Sequence, residues 1–176
     1  ATVDIRTPDR QPPGPLSYAE YLDWLSPETH AEWVAGAVRL MSPVSAEHSL
    51  VQAFLLTVMQ CWVDARQLGH VLAEPYQMKT GPALPGRSPD LLFVSAARRA
   101  QLTEHFLDGP ADLVVEIVSP SSCVTDRGDK YYEYEAGGVR EYWLVDADRL
   151  TAEFFQAEEG VFRPVLADSH GVYISR

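Results

Sequence analysis

The run "ADLVVEIVSPSS" (residues 111–122) sets a glutamate, Glu116, among Leu113, Val114, Val115, Ile117 and Val118. A carboxylate ionised alone in such surroundings is strongly disfavoured, so Glu116 needs a partner. Asp90 opens a second apolar run, "DLLFVS", directly behind Ser88-Pro89. If the two runs pair as strands, both carboxylates converge at one end of a sheet. A hard divalent cation takes oxygens of this kind, and Mg²⁺ in particular is held by one or two carboxylates together with waters and a phosphate. Spacing alone leaves the plainer alternative open, in which Asp90 caps a turn and Glu116 pairs with a lysine or arginine. Lys130 is a natural third party, since it falls early in the helix expected after the Glu116 strand. A lysine there can reach back to the carboxylates and offset charge in a phosphoryl transition state or orient a water. Its plain alternative is a solvated side chain at helical spacing from Asp126 and Tyr134.

His48 lies in the first turn of the longest expected helix, where an imidazole could touch a phosphate or a metal-bound water; a lone histidine in such a place more often packs or caps. His30, His70, His105 and His170 form no paired spacing that would hold zinc. Ser119 and Ser121 lack the glycine-flanked elbow of a serine hydrolase, and there is no phosphate-binding glycine loop. Tyr131, Tyr132, Tyr134, Tyr142 and Trp143 could stack on bases, but their alternation with apolar residues points to core packing.

These side chains need elements to position them. "SYAEYLDWLS" opens with Ser17 and, three residues on, Glu20, the signature of a capping box, and then repeats apolar residues at helical spacing. "HAEWVAGAVRLMSP" reads as two strands turning at Ala35-Gly36. "SAEHSLVQAFLLTVMQCWVDARQLG" predicts a long helix from an N-cap at Ser45 to a stop at Gly69, its apolar stripe running through Leu50, Val51, Phe54, Leu55, Val58, Met59, Trp62 and Val63. "HVLAEPYQMKT" predicts one strand bent at Pro75. "DLLFVS", "ADLVVEIVS" and "EYWLVDA" predict further strands, "AARRAQL" a brief surface helix, and "PSSCVTDRGDKYYEYEAGG" a loop leading into a helix that Gly137-Gly138 stop. "LTAEFFQAEEGVFRPVL" predicts a hairpin turning at Glu159-Gly160, and "GVYISR" a last exposed strand. The class is α/β or α+β, a mixed central sheet flanked by helices.

Length bounds the chain to one domain, over residues 17–176, behind a proline-stiffened leader at 1–16. No apolar stretch is long enough to cross a membrane, and the first residues lack the apolar segment of a secretory signal. With 14 Lys and Arg against 25 Asp and Glu, the net charge of −11 excludes a broad basic face for nucleic acid. It leaves room for a small basic cleft from Arg87, Arg98, Arg99, Arg127, Lys130 and Arg140. Cys61 and Cys123 form no metal or redox spacing; Cys61 is expected buried in the long helix, and the compartment reads as reducing and cytoplasmic.

Taken together, "SPD" before an apolar strand, "EIVSPSS", "DRGDK", "GVREYWLVD" and the early "EWVAGAVRLMSP" followed by His48 resemble the Uma-two family of restriction-endonuclease-like proteins, in the PD-(D/E)XK nuclease superfamily. The likeness spans the chain from about Ser17 to the last hairpin. It implies a restriction-endonuclease-like core, with a mixed four- or five-stranded sheet between helices. It also implies a metal site of Asp90, Glu116 and the backbone carbonyl of Ile117 for Mg²⁺ or Mn²⁺. Lys130 matches the family's catalytic lysine on the following helix, and Glu32 matches a further acidic residue of the site. Val118 occupies the strand position, two beyond Glu116, where most of the superfamily carries its lysine. The implied activity is metal-dependent hydrolysis of DNA phosphodiesters by a homodimer, since a two-fold axis matches a duplex. A catalytically inactive binding module on the same fold, or a hydrolase of another phosphodiester, would present the same residues.

Overall fold

In the computed structural model the residues described are 14–26, 29–120 and 122–175. Most of the expected leader lies outside them, but Leu16 is already tied down: its N–H donates to the Gly36 carbonyl, and its carbonyl accepts from the Trp33 indole at 2.8 Å.

Helix α1 (Tyr18–Trp24) begins with the reciprocal capping box of Ser17 and Glu20. Strands β1 (Ala31–Val34) and β2 (Ala37–Leu40) form the first hairpin, with Ala35 and Gly36 both at positive φ (50° and 88°), the backbone a tight two-residue turn demands. Helix α2 (Ala46–Arg66) is capped by the Ser45 hydroxyl, which accepts from the His48 N–H at 3.1 Å. It ends on Gln67 in a left-handed conformation rather than at Gly69, which instead opens strand β3 (Gly69–Ala73).

The run around Pro75 is not one bent strand. It divides into β3 and β4 (Gln77–Lys79), which belong to different sheets. Proline cannot donate to a ladder, and the break falls on it. Then come β5 (Gly86–Arg87), β6 (Leu91–Ser95), a 3-10 turn (Ala96–Gln101), β7 (Phe106–Asp108) and β8 (Leu113–Val118). After β8, two helices replace the single expected one: α3 (Cys123–Arg127) and α4 (Asp129–Gly137), with Gly128 between them. Strands β9 (Glu141–Asp146), β10 (Thr151–Glu158) and β11 (Val161–Pro164) complete the order, the last two turning at Glu159-Gly160 as the sequence predicts. Residues 171–175 form no strand, contrary to the expectation for "GVYISR".

The expectation of one central sheet is met by two mixed sheets. The larger runs β11-β10-β9-β8-β6-β3, with β8 parallel to β9 and the other neighbours antiparallel; the smaller runs β2-β1-β5-β4-β7. A parallel pair needs a crossover, which α3 and α4 supply between β8 and β9. Every residue of β8 is buried, so strict alternation assigns its faces. Leu113 and Val115 meet Leu55, Leu56 and Met59 of α2, while Val114 and Val118 join Tyr134 of α4, Tyr142 and Leu144. Glu116 shares the parity of Val114 and Val118 and therefore faces α4.

The wide apolar stripe expected on α2 is only partly used. Leu50, Phe54, Val58 and Trp62 are 71%, 65%, 49% and 57% exposed, and Cys61, expected buried, is exposed as well. The sheet offers one face to the helix, and the residues facing away have no described element to cover them. Tyr134 and Tyr142 are core, as expected, whereas Tyr132 is exposed.

Candidate active site

The pairing of β6 with β8 sets Leu91 opposite Val115, which brings Asp90, just before β6, alongside Ile117, just after Glu116. The Ile117 N–H donates to Asp90 Oδ2 at 2.5 Å, fixing the aspartate at the end of the sheet. The N-terminus of α2 arrives there too, and His48 Nε2 lies 3.1 Å from Asp90 Oδ1. Glu74, at the break between β3 and β4, completes a group: one ligand atom from each of His48, Glu74 and Asp90 lies within 4.8 Å of the others. Gln52 of α2 steadies this corner, donating to the Asp90 carbonyl at 3.1 Å and to Glu74 at 3.4 Å.

A second network adjoins it. Glu116 is 2% exposed, and each of its oxygens is engaged: Oε2 accepts from Lys130 Nζ at 2.9 Å and Oε1 from the Tyr134 hydroxyl at 2.7 Å. Lys130, early in α4, is buried rather than solvated, with Asp126 at 3.2 Å and Glu32 at 3.6 Å as further partners. The first hairpin delivers Glu32, whose other oxygen takes the Arg87 guanidinium at 2.7 Å, while the Ser88 N–H donates to Oε1 at 3.2 Å. Arg87 is itself clamped from the other side by Glu133 at 2.8 and 2.9 Å.

Charge is unbalanced in this cluster. Five carboxylates, Glu32, Glu74, Asp90, Glu116 and Asp126, line one cleft of about 650 Å³ together with the cations Arg87 and Lys130 and the imidazole of His48. The consequences follow side by side. Burial drives the Glu116 carboxyl well above its usual range; Lys130 opposes this, but Asp126, Asp90 and Glu32 add to it. Lys130 is itself held firmly protonated, because Glu116, Glu32 and Asp126 outweigh its own burial. Burial raises the carboxyl, and the several carboxylates gathered around one ammonium raise the lysine. Glu32 escapes: burial pushes it up, but Lys130 and Arg87 bring it below its usual value. Glu74 is raised by burial and then by Asp90, and His48 is raised chiefly by its hydrogen bond to Asp90. Buried His48 Nδ1 and Ser88 Oγ have no hydrogen-bond partner among the described residues. A surplus of carboxylate oxygens beside an imidazole is a donor set that suits a divalent ion such as Mn²⁺ or Mg²⁺.

All the residues picked out in the sequence, Glu32, His48, Asp90, Glu116, Ile117 and Lys130, line the same cleft. Sequence reasoning did not name Glu74, Tyr134 or Ser88 as site residues, and met Asp126 and Arg87 only as a helical neighbour and a basic residue. Glu74 could have been found as a carboxylate at a proline-broken strand end. Arg87, three residues before Asp90, carried no signal that it would be buried.

The mixed α/β fold that brings carboxylates and a lysine to one sheet end is shared with known proteins. A crystal structure from Anabaena variabilis ATCC 29413, described as "a putative nuclease belonging to DUF820", superposes with a TM-score of 0.70 at 17% identity, over 92% of this chain and 95% of that one. The profile of the family Uma2, described as "Putative restriction endonuclease", matches residues 18–175, and the chain belongs to that family. No curated protein matches the chain. Among the described residues no helix is long and apolar enough to cross a membrane.

Proposed function

We propose that the chain is a metal-dependent endonuclease acting on DNA phosphodiesters. The observation that carries this reading is the convergence of His48, Glu74 and Asp90 in the cleft that also holds Glu116 and Lys130. Asp90 belongs both to the trio and to the set suggested by the family resemblance, Asp90, Glu116 and the Ile117 carbonyl. We take His48, Glu74 and Asp90 as the residues that would hold one Mg²⁺ or Mn²⁺, with Glu116 lining the same cleft beside them. When bound, the ion would supply Lewis-acid activation of water and neutralisation of phosphate charge. The protein's own groups do the rest. Lys130 holds a fixed positive charge beside the scissile phosphate, and Glu32 and Asp126 hold Lys130 in place. Tyr134 keeps Glu116 oriented, and exposed Arg39 at the cleft mouth offers a phosphate contact.

Calorimetry with Mn²⁺ on the full chain, paired with supercoiled-plasmid cleavage, tests the assignment. Asp90→Asn should abolish both ion binding and cleavage. Glu74→Gln should abolish binding if the trio is the site, whereas Glu116→Gln should do so if Asp90 and Glu116 are the principal ligands. Cleavage that survives in Asp90→Asn removes the proposal.

A second reading, a binding module without catalysis, is favoured by one observation: both oxygens of Glu116 are already taken by Lys130 and Tyr134. Its signature is wild-type protein that binds DNA but neither Mn²⁺ nor Mg²⁺.

A further inference from the structure

We infer that the cleft takes its DNA as a single strand, with an unpaired base laid on an apolar lip formed by Leu40, Met41, Pro43 and Val44. The inference rests on the reading of this cleft as the DNA site and adds the form of the substrate. The lip lines the cleft together with His48 and Asp90. Leu40, Met41 and Val44 are 56%, 36% and 49% exposed, so the lip stands open in the folded chain.

Elements of the site hold the lip at both ends. It leaves β2 where Leu40 pairs with Ala31 and the Met41 N–H donates to the His30 carbonyl at 2.9 Å. It runs into Ser45, the N-cap of α2, whose hydroxyl accepts from the His48 N–H. The hairpin register sets Arg39 opposite Glu32, so the two side chains share one face. Glu32 reaches along that face to Lys130 at 3.6 Å, while Arg39 is exposed at the mouth. Arg39 directly precedes the lip, which puts a phosphate contact and a carbon surface side by side.

Chemistry, charge and size each favour an unpaired strand over a duplex. A duplex turns its phosphates and largely polar base edges outward and keeps the apolar base faces stacked inside. A carbon lip matches the face of an unstacked base, not that outer surface. The Met41 thioether adds a polarisable contact to a ring. Duplex binding draws on many lysine and arginine contacts to phosphate. Among the described residues lining the cleft, Arg39 is the one exposed lysine or arginine; Arg87 and Lys130 are 2% and 4% exposed and held by carboxylates. The rest of the charge there is the five carboxylates, which repel a double row of phosphates. The volume, about 650 Å³, is that of a small-ligand site, with room for a nucleotide or two rather than a double helix.

The test measures binding and cleavage separately on the full chain. In Ca²⁺, fluorescence anisotropy compares a labelled single-stranded oligonucleotide with the blunt duplex of the same sequence. The single strand should bind about tenfold tighter or more. Met41→Ser combined with Val44→Ser should weaken single-strand binding about tenfold, within the range for losing one stacked base, and leave the circular dichroism spectrum unchanged. Leu166→Ser, at a leucine 84% exposed outside the cleft, should change nothing. Arg39→Gln should reduce the salt dependence of single-strand binding by about 0.7 in log–log slope, the share of one phosphate. In Mn²⁺, circular single-stranded DNA should be cut faster than relaxed duplex plasmid. Duplex bound as tightly as the single strand, duplex cut as fast, or single-strand binding indifferent to the lip substitutions overturns the inference, and leaves the nuclease reading standing wherever Mn²⁺ supports cleavage. Lip-dependent single-strand binding without cleavage of either DNA upholds the inference and overturns the nuclease reading instead.

Discussion

Replacing Lys130 by methionine removes one positive charge from among three buried carboxylates while nearly preserving the side chain's length. In the structure its ammonium lies 2.9 Å from Glu116, 3.2 Å from Asp126 and 3.6 Å from Glu32. At an effective dielectric near 20 each attraction is on the order of 5 kcal/mol. Most of that is cancelled by the cost of taking the lysine itself out of water. The net loss expected from removing one partner of a buried pair is about 3–5 kcal/mol. For a domain of this length that corresponds to a fall in Tm of roughly 6–20 °C. The loss should depend on pH. Burial and its acidic neighbours raise the Glu116 carboxyl in the folded state. Its contribution is therefore fully present below the unfolded value, about 4.3, and is lost as pH rises through the folded value. Without Lys130 the folded value climbs further, so the deficit of the variant should be small at pH 5 and large at pH 8. Urea denaturation of wild type and Lys130→Met at both pH values, in chelator to exclude divalent ions, measures it. A deficit below about 1 kcal/mol at pH 8, or one equal at the two pH values, would refute the idea that Lys130 balances buried carboxylates.

Other outcomes follow from the same geometry. Tyr134→Phe deletes the hydroxyl that donates to Glu116 at 2.7 Å and should cost about 1–3 kcal/mol in urea denaturation, the range for leaving a buried acceptor without its partner. Gly69→Ala should destabilise by about 1–3 kcal/mol or more, since a Cβ there would sit 2.0 Å from the Val94 carbonyl oxygen; a stable, soluble variant would contradict the packing of β3 on β6. Mn²⁺ at a hundredfold excess over its dissociation constant should stabilise the wild type by about 2.7 kcal/mol in thermal unfolding and leave Asp90→Asn unmoved.

The elements around the site were legible because each carried a local signal. Ser17 with Glu20, Ser45, and the positive-φ turns at Ala35-Gly36 and Glu159-Gly160 are matters of a few neighbouring residues, and their consequences are fixed within one or two turns of chain. The isolated Glu116 in an apolar strand announced a buried charge, and the family resemblance named its companions. The break at Pro75 was visible too, but not that it parts two sheets, because strand partners are chosen by residues far away in sequence. The outward turn of Leu50, Phe54 and Val58 was hidden for a similar reason. Helical periodicity shows that an apolar stripe exists, not how much of it the sheet can cover.

The sequence by itself determined the chemistry available: carboxylates at strand ends, a lysine on the helix behind them, and a histidine at a capped helix start. The tertiary structure decided how those groups are divided. It set Glu74 beside Asp90 and His48 from a strand break, and buried Arg87 between Glu32 and Glu133. It also gave Lys130 to Glu116, Asp126 and Glu32 at once. The physical reason is that charge pairing acts through space over a few ångströms, and only the packing of β1, β6, β8, α2 and α4 brings residues up to about a hundred positions apart within that range.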